Sequence, residues 1–254
     1  MANAYQNLAP VYDAFMADID FDAWAAYLIA LIRSMVTEEA PRVVDCGCGT
    51  GALMLRLLKA GLPVIGLDRS PDMLQVAAEK LRRAGFAKAE LVCEDMCQLV
   101  LHRPVDVIVS ACDGVNYLLT DEDVLRFFRS AYAALKPGGL FLFDISSAYK
   151  LGVLLDGRCF GEVLMDHAYL CSNCFDAGSA QLQMDLTIFS RESDGRYVRA
   201  EETHFQRAYQ EETLVKYLGD TGFTAVEAYA AFTGDRPDPA SERIQFASRR
   251  PRHG

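Results

Sequence analysis

The run Asp45-Cys46-Gly47-Cys48-Gly49-Thr50-Gly51 sets three glycines at alternate positions behind an aspartate. Glycines let a backbone bend sharply and approach a ligand closely. The run follows Val43-Val44, β-branched and apolar as a buried strand requires, and precedes ALMLRLLKAG, rich in helix formers. Strand, glycine turn and helix in that order make a nucleotide-binding arrangement. Asp68 ends the next strand, at about the 20-residue spacing where a carboxylate meets a ribose diol. Further acids, Asp95, Asp113 and Asp144, stand at the ends of later strands; some must be plain turn or cap residues, and Asp144 has the weakest claim to a ligand. A second polar group lies late in the chain: Glu202, His204, Arg207 and Tyr209. His204, His167 or Tyr209 could accept a proton. Arg207 could bind a carboxylate or phosphate, or pair with a nearby acid. Cys159, His167, Cys171 and Cys174 are four possible soft-metal ligands, but no second CxxC accompanies the pair at 171 and 174. Buried or half-buried thiols are expected there, and no metal.

The elements that must position these residues alternate. Strands are expected at 42–45, 63–68, 89–93, 105–110 and 140–145. Helices are expected at 52–60, 71–84 and 121–135, and Pro137-Gly138-Gly139 reads as a turn. Ser70-Pro71 opens the second of these helices, with serine as cap and proline in the first turn. Such alternation argues for a parallel α/β sheet, whose ligands bind at the carboxyl ends of its strands. Ahead of it, residues 2–17 read as helix and turn, and 21–36 as a helix with Phe21, Trp24, Leu28 and Leu31 on one face.

After residue 157 the pattern changes. QLQMDLTIF at 181–189 alternates like a half-exposed antiparallel strand, Ser193-Asp194-Gly195 reads as a hairpin turn, and 197–206 returns. Gly161 to Tyr169 is expected to supply a third strand. Residues 158–209 therefore read as a small inserted sheet. Residues 1–157 and 210–254 form the core, closed by a helix at 211–221 and strands at 223–232 and 243–249.

The chain has 254 residues, and its net charge of −10 disfavours a phosphate-backbone partner. Its one dense basic tract is Arg249-Arg250-Pro251-Arg252-His253. The opening is polar, with no basic region of a signal peptide, and no apolar run approaches a membrane span. A cytoplasmic protein is expected, monomer or homodimer.

Taken together, the sequence resembles the class I S-adenosylmethionine-dependent methyltransferases over nearly its whole length. VVDCGCGTG resembles the first family motif, VIGLDRSPDML the second, CEDM the adenine-edge position, and LKPGGLFLFD the fifth strand with its turn. APVYDAFM, DGVNYL and EETHFQRAY resemble a bacterial subfamily with small acceptors, similar to sugar-amine N-methyltransferases. The resemblance implies a Rossmann-like seven-stranded sheet with helices on both faces and a small antiparallel sheet inserted after strand five. It implies S-adenosyl-L-methionine as cofactor and a small-molecule acceptor, with an amine as the first expectation.

Residue by residue, it implies that Asp45 and the Gly47, Cys48, Gly49 and Gly51 backbone meet the methionyl part. Asp68 would take the ribose, with Arg69 and Met73 beside it. Asp95 and Met96 would meet the adenine, Asp113 the methionyl end or the substrate, and Tyr5 and Tyr12 would close over the site. His204, Tyr209 and Arg207 are the expected catalytic group. Two alternatives stand beside this reading: an RNA or protein methyltransferase, and a non-catalytic binder of the same ligand.

Overall fold

A computed structural model describes residues 5–252. Its larger sheet has seven strands. Five are parallel: β1 (Val43–Cys46), β2 (Val64–Asp68), β3 (Glu90–Cys93), β4 (Val105–Ser110) and β5 (Leu135–Ser146). Two close its edge, β10 (Thr224–Ala230) and β11 (Arg243–Arg249), and β11 runs antiparallel to both neighbours. The order across the sheet is β10-β11-β5-β4-β1-β2-β3. From β1 the chain first moves outward through β2 to β3, then crosses back to β4 on the other side. The crevice at the carboxyl ends of β1 and β4 is therefore the switch point where such sheets bind ligands.

Burial follows from residue type. Strands covered on both faces need continuous apolar runs, and β4 and β1 are buried throughout. Successive residues serve opposite faces. Val43, Leu140 and Leu142 pack under α2 (Phe21–Met35) and α3 (Ala52–Lys59). Val44, Phe141 and Phe143 pack under α5 (Asp121–Ala134) and α6 (Glu211–Asp220), with Phe127 and Phe128. The remaining helix of the core, α4 (Pro71–Arg83), starts as its sequence predicts, with Ser70 Oγ accepting from Met73 N.

Two expectations are corrected. Pro137-Gly138-Gly139 is no separate turn, because β5 runs through it as an irregularity. Gly138 takes the left-handed φ of +82° there, and the edge is held by Gly138 N to Arg250 O at 2.9 Å and Arg250 N to Gly139 O at 3.0 Å. The inserted sheet has four strands rather than three: β6 (Cys159–Val163), β7 (His167–Asp176), β8 (Gln181–Arg191) and β9 (Tyr197–Arg207), all antiparallel in that order. The expected strand at 161–169 reverses within itself, where Leu164 N bonds His167 O at 2.7 Å. At the N-terminus, residues 5–11 are turns, followed by one helical turn, α1 (Tyr12–Phe15). Among the described residues no helix is long and apolar enough to cross a membrane.

Candidate active site

Gly47, Gly49 and Gly51 all take left-handed φ values, +78°, +52° and +74°. The turn is pinned to β2 by Gly47 N and Cys48 N, which both donate to Leu67 O. A Cβ added at Gly47 or Gly49 would meet nothing within 4 Å, so that side of the turn opens on a cavity. At Gly51 a Cβ would press on Ala77 Cβ at 3.2 Å, a packing constraint between α3 and α4. The cavity is lined by the turn, Asp45, Ala111 and Cys112, with Tyr12 and Phe21 from the N-terminal elements.

Two carboxylates frame the turn. Asp68 accepts from Gly49 N and from Ser70 N, each at 2.8 Å, and burial raises its pKa. Asp45 is buried at the end of β1, and its Oδ2 has no hydrogen-bond partner. Burial, reinforced by the charge of Asp68, pushes the Asp45 carboxyl up to about 7. Leaving such an atom unpaired in the interior is costly. After β3, Asp95 accepts from Cys97 N at 2.8 Å and Met96 packs half-buried on the core. Met73 is buried, and Arg69 is exposed beside Asp68.

A segment from the N-terminus crosses this crevice, held at both ends. Asp13 accepts from Thr50 Oγ1 at 2.6 Å and pairs with Lys80 Nζ at 2.7 Å, which ties α1 to the glycine turn and to α4. At the other end Glu202 of β9 accepts from the backbone N–H groups of Tyr5, Asn7 and Leu8 at 2.8, 2.6 and 3.0 Å. Glu202 Oε2 also lies 3.1 Å from His204 Nε2. The His204 ring meets those of Tyr5 and Tyr117 edge-on, with centroids 4.8 and 6.2 Å away. Its Nδ1 is buried without a partner.

A methyltransferase-domain family profile matches residues 43–139, the stretch from β1 into β5. A Geobacillus sp. (strain WCH70) protein assigned as a methyltransferase is 33% identical over 97% of this chain and 99% of its own. A crystal structure of an S-adenosylmethionine-dependent methyltransferase from Clostridium acetobutylicum ATCC 824 superposes with a TM-score of 0.86 at 29% identity, covering 97% of this chain and 99% of that one. This chain belongs to the S-adenosylmethionine-dependent methyltransferases. A third relative, a dTDP-amino-sugar N,N-dimethyltransferase of Streptomyces venezuelae, is 33% identical over 54% of this chain and 56% of its own.

S-adenosylmethionine is the methyl donor of this enzyme, and the crevice fits it. The donor carries a cationic amino group that an orphaned buried carboxylate oxygen can accept from, and Asp45 Oδ2 is such an atom. The open face of the glycine turn leaves its backbone bare to the cavity.

Several residues of the methyltransferase stand differently from their sequence expectation. Asp113 is pulled into a half-buried ion pair with Arg243, which also pairs with Asp144 and lies 4.7 Å over the Trp24 ring. Burial opposes ionisation of Asp113, but the guanidinium outweighs it and holds that carboxyl below its ordinary value. Asp144, expected to be incidental, accepts from Cys112 N at 2.9 Å and so shapes the wall of the cavity. Arg207 is spent on Asp121 at 2.9 Å and stacks on Tyr209. Tyr209 is buried in the core, and its hydroxyl donates to Leu118 O. Arg207 and Tyr209 therefore act as a brace between the small sheet and α5, and of the expected catalytic three only His204 has a buried polar atom without a partner.

The possible metal ligands are not brought together. Cys171 and Cys174 are three apart on one strand and so face opposite sides, buried and exposed. His167 lies against Ser190 Oγ at 3.3 Å. The Asp13–Thr50–Lys80 clasp had no sequence signal, since its members are far apart in the chain. Glu202 was visible only as a polar neighbour of His204.

Proposed function

We propose that this enzyme methylates a small-molecule amine, held where the N-terminal segment and β9 meet the carboxyl edge of the large sheet. The observation that carries the proposal is His204, a buried imidazole with one nitrogen engaged by Glu202 and the other free. An amine must lose a proton to remain methylated and neutral, and an imidazole suits that task near neutral pH. Tyr5 packs against Tyr12, Tyr117 and His204, an aromatic cover that suits a small acceptor better than a polymer. The N,N-dimethyltransferase relative supports an amine over the part of the chain it matches.

In this reading Asp45 and the Gly47–Gly51 backbone hold the methionyl end, Asp68 the ribose, and Asp95 with Met96 the adenine. Tyr12 and Tyr5 exclude water above them. The donor supplies a methyl group already activated by its sulfonium, so the protein's work is placement. The sheet of residues 158–209 serves as the acceptor cap on the core formed by 1–157 and 210–254. A cytoplasmic monomer or homodimer without a nucleic-acid partner suits the net charge of −10.

Paired substrates test the acceptor class. The enzyme is offered labelled donor with small amines, among them amino sugars, and with the same compounds carrying hydroxyl in place of amine. Label in amines and none in the hydroxyl series is expected. Transfer to the hydroxyl series alone would sink the amine assignment.

A further inference from the structure

We propose that Glu202 is a positioning residue that fixes His204 with its proton on Nε2, leaving Nδ1 bare to take the proton of the acceptor amine. The proposal rests on the amine reading for the source of that proton.

The argument is one of donors and acceptors. Glu202 Oε1 accepts from Asn7 N and Leu8 N, and Oε2 accepts from Tyr5 N. An ionised carboxylate can only accept, so the remaining contact, to His204 Nε2 at 3.1 Å, requires an N–H on that nitrogen. Burial alone would raise the Glu202 pKa, but His204 and the three backbone donors outweigh it and keep the group ionised. A neutral imidazole carries one proton, so Nδ1 is left with a lone pair. Nδ1 is the atom found buried and unpartnered.

Three of the four contacts on Glu202 come from the N-terminal segment, and the same segment brings Tyr12 to the wall of the donor cavity. Seating that segment therefore closes the donor site and prepares the base in one event. The groups facing His204 are Glu202 on its own strand, Tyr5 of the segment, and Tyr117 from the turn after β4. Asp68 and Asp113 lie beyond those tyrosines. Met184, its cross-strand partner, is uncharged.

In the transfer step the lone pair of the acceptor nitrogen forms the new bond to the methyl carbon. The carbon–sulfur bond breaks with both electrons passing to sulfur. The N–H proton moves to His204 Nδ1, and the resulting imidazolium is held by the Glu202 carboxylate through Nε2–H.

The test begins with free protein labelled with 15N at histidine, the His204 resonances being identified by their loss in His204→Gln. Above the imidazole's titration, Nε2 is expected to be protonated and Nδ1 bare. In Glu202→Gln the side-chain amide donates to Nε2, so the proton is expected on Nδ1. With an amine acceptor, kcat for that variant should fall by about tenfold or more. The acid limb of its pH profile, set by protonation of Nδ1, should vanish. A purely tethering Glu202 would weaken donor binding while leaving tautomer and acid limb as in the wild type, which would overturn the proposal. So would a wild-type spectrum with the proton on Nδ1, a result that does not depend on the folding of Glu202→Gln. Glu202→Asp keeps the carboxylate and should keep the Nε2–H form; its loss there would also count against the proposal. A wild type that labels no amine would sink the amine reading and the proton's source, while the free-protein spectrum decides the tautomer on its own.

Discussion

Asp45, proposed to hold the donor, opposes the stability of its own fold when ionised. Its carboxyl is buried, one oxygen has no partner, and its pKa is pushed up to about 7 from an ordinary 3.8. The folded state thus holds this proton more tightly than the unfolded state. Its contribution to stability is full below about 3.8 and is lost as pH rises through about 7. Without donor, the melting temperature should therefore fall between these values, and Asp45→Asn should flatten the fall, a difference on the order of a few kcal/mol above pH 7. The same variant should bind the donor more weakly. Melts of wild type and variant across pH, with calorimetry at pH 7.5, check both; a variant less stable than wild type at pH 8 would contradict the assignment. The sequence showed Asp45 as a motif aspartate, because strand and glycines stand next to it in the chain. It could not show that Arg207 and Tyr209 are braces, since Asp121 and Leu118, which occupy them, are set by tertiary packing.

Among the elements, the N-terminal segment depends most on side chains distant in sequence. Its own helix, Tyr12–Phe15, is a single turn and too short to stand alone. Glu202 and the Asp13–Thr50–Lys80 clasp hold it instead. Glu202 ionises below its ordinary 4.5 in the folded state, so its anchoring is present above 4.5 and is lost as pH falls through the lowered value. Limited proteolysis should accordingly cut near residues 5–16 faster below about pH 4.5 than at neutral pH, and Asp13→Ala should add to this by a few-fold. The Asp13–Lys80 pair is part-exposed, which limits it to about 0.2–1 kcal/mol. Cleavage indifferent to both pH and substitution would show that the segment is held some other way. Over residues 5–17 helix and turn were legible, residues 2–4 lying outside the described ones, whereas the clasp was not: Asp13, Thr50 and Lys80 carry no local pattern. The strand expected at 161–169 breaks for a related reason. Its reversal is fixed by pairing with β8 rather than by a glycine or proline at the bend.

At the scale of the molecule, the parallel sheet places the glycine turn and Asp68 at its switch point, and the inserted sheet brings His204 to the same edge. A parallel core sheet follows from alternating apolar strands and helices, so this much was open to a reading of the sequence, whereas the strand order is set by tertiary packing. The placement of His204 needed β8 and β9 paired in register, Met184 against His204, which the alternation of residues 181–189 only hinted at. The central claim is that donor bound at this crevice methylates a small amine. Incubating the enzyme with methyl-labelled S-adenosylmethionine and a fractionated cell extract tests it most directly. Label should enter a small, amine-bearing fraction. Asp68→Ala should lower the transfer at limiting donor, since losing hydrogen bonds to a charged group costs about 1.5–3 kcal/mol. Label confined to RNA or protein, with no small metabolite labelled, would contradict the account.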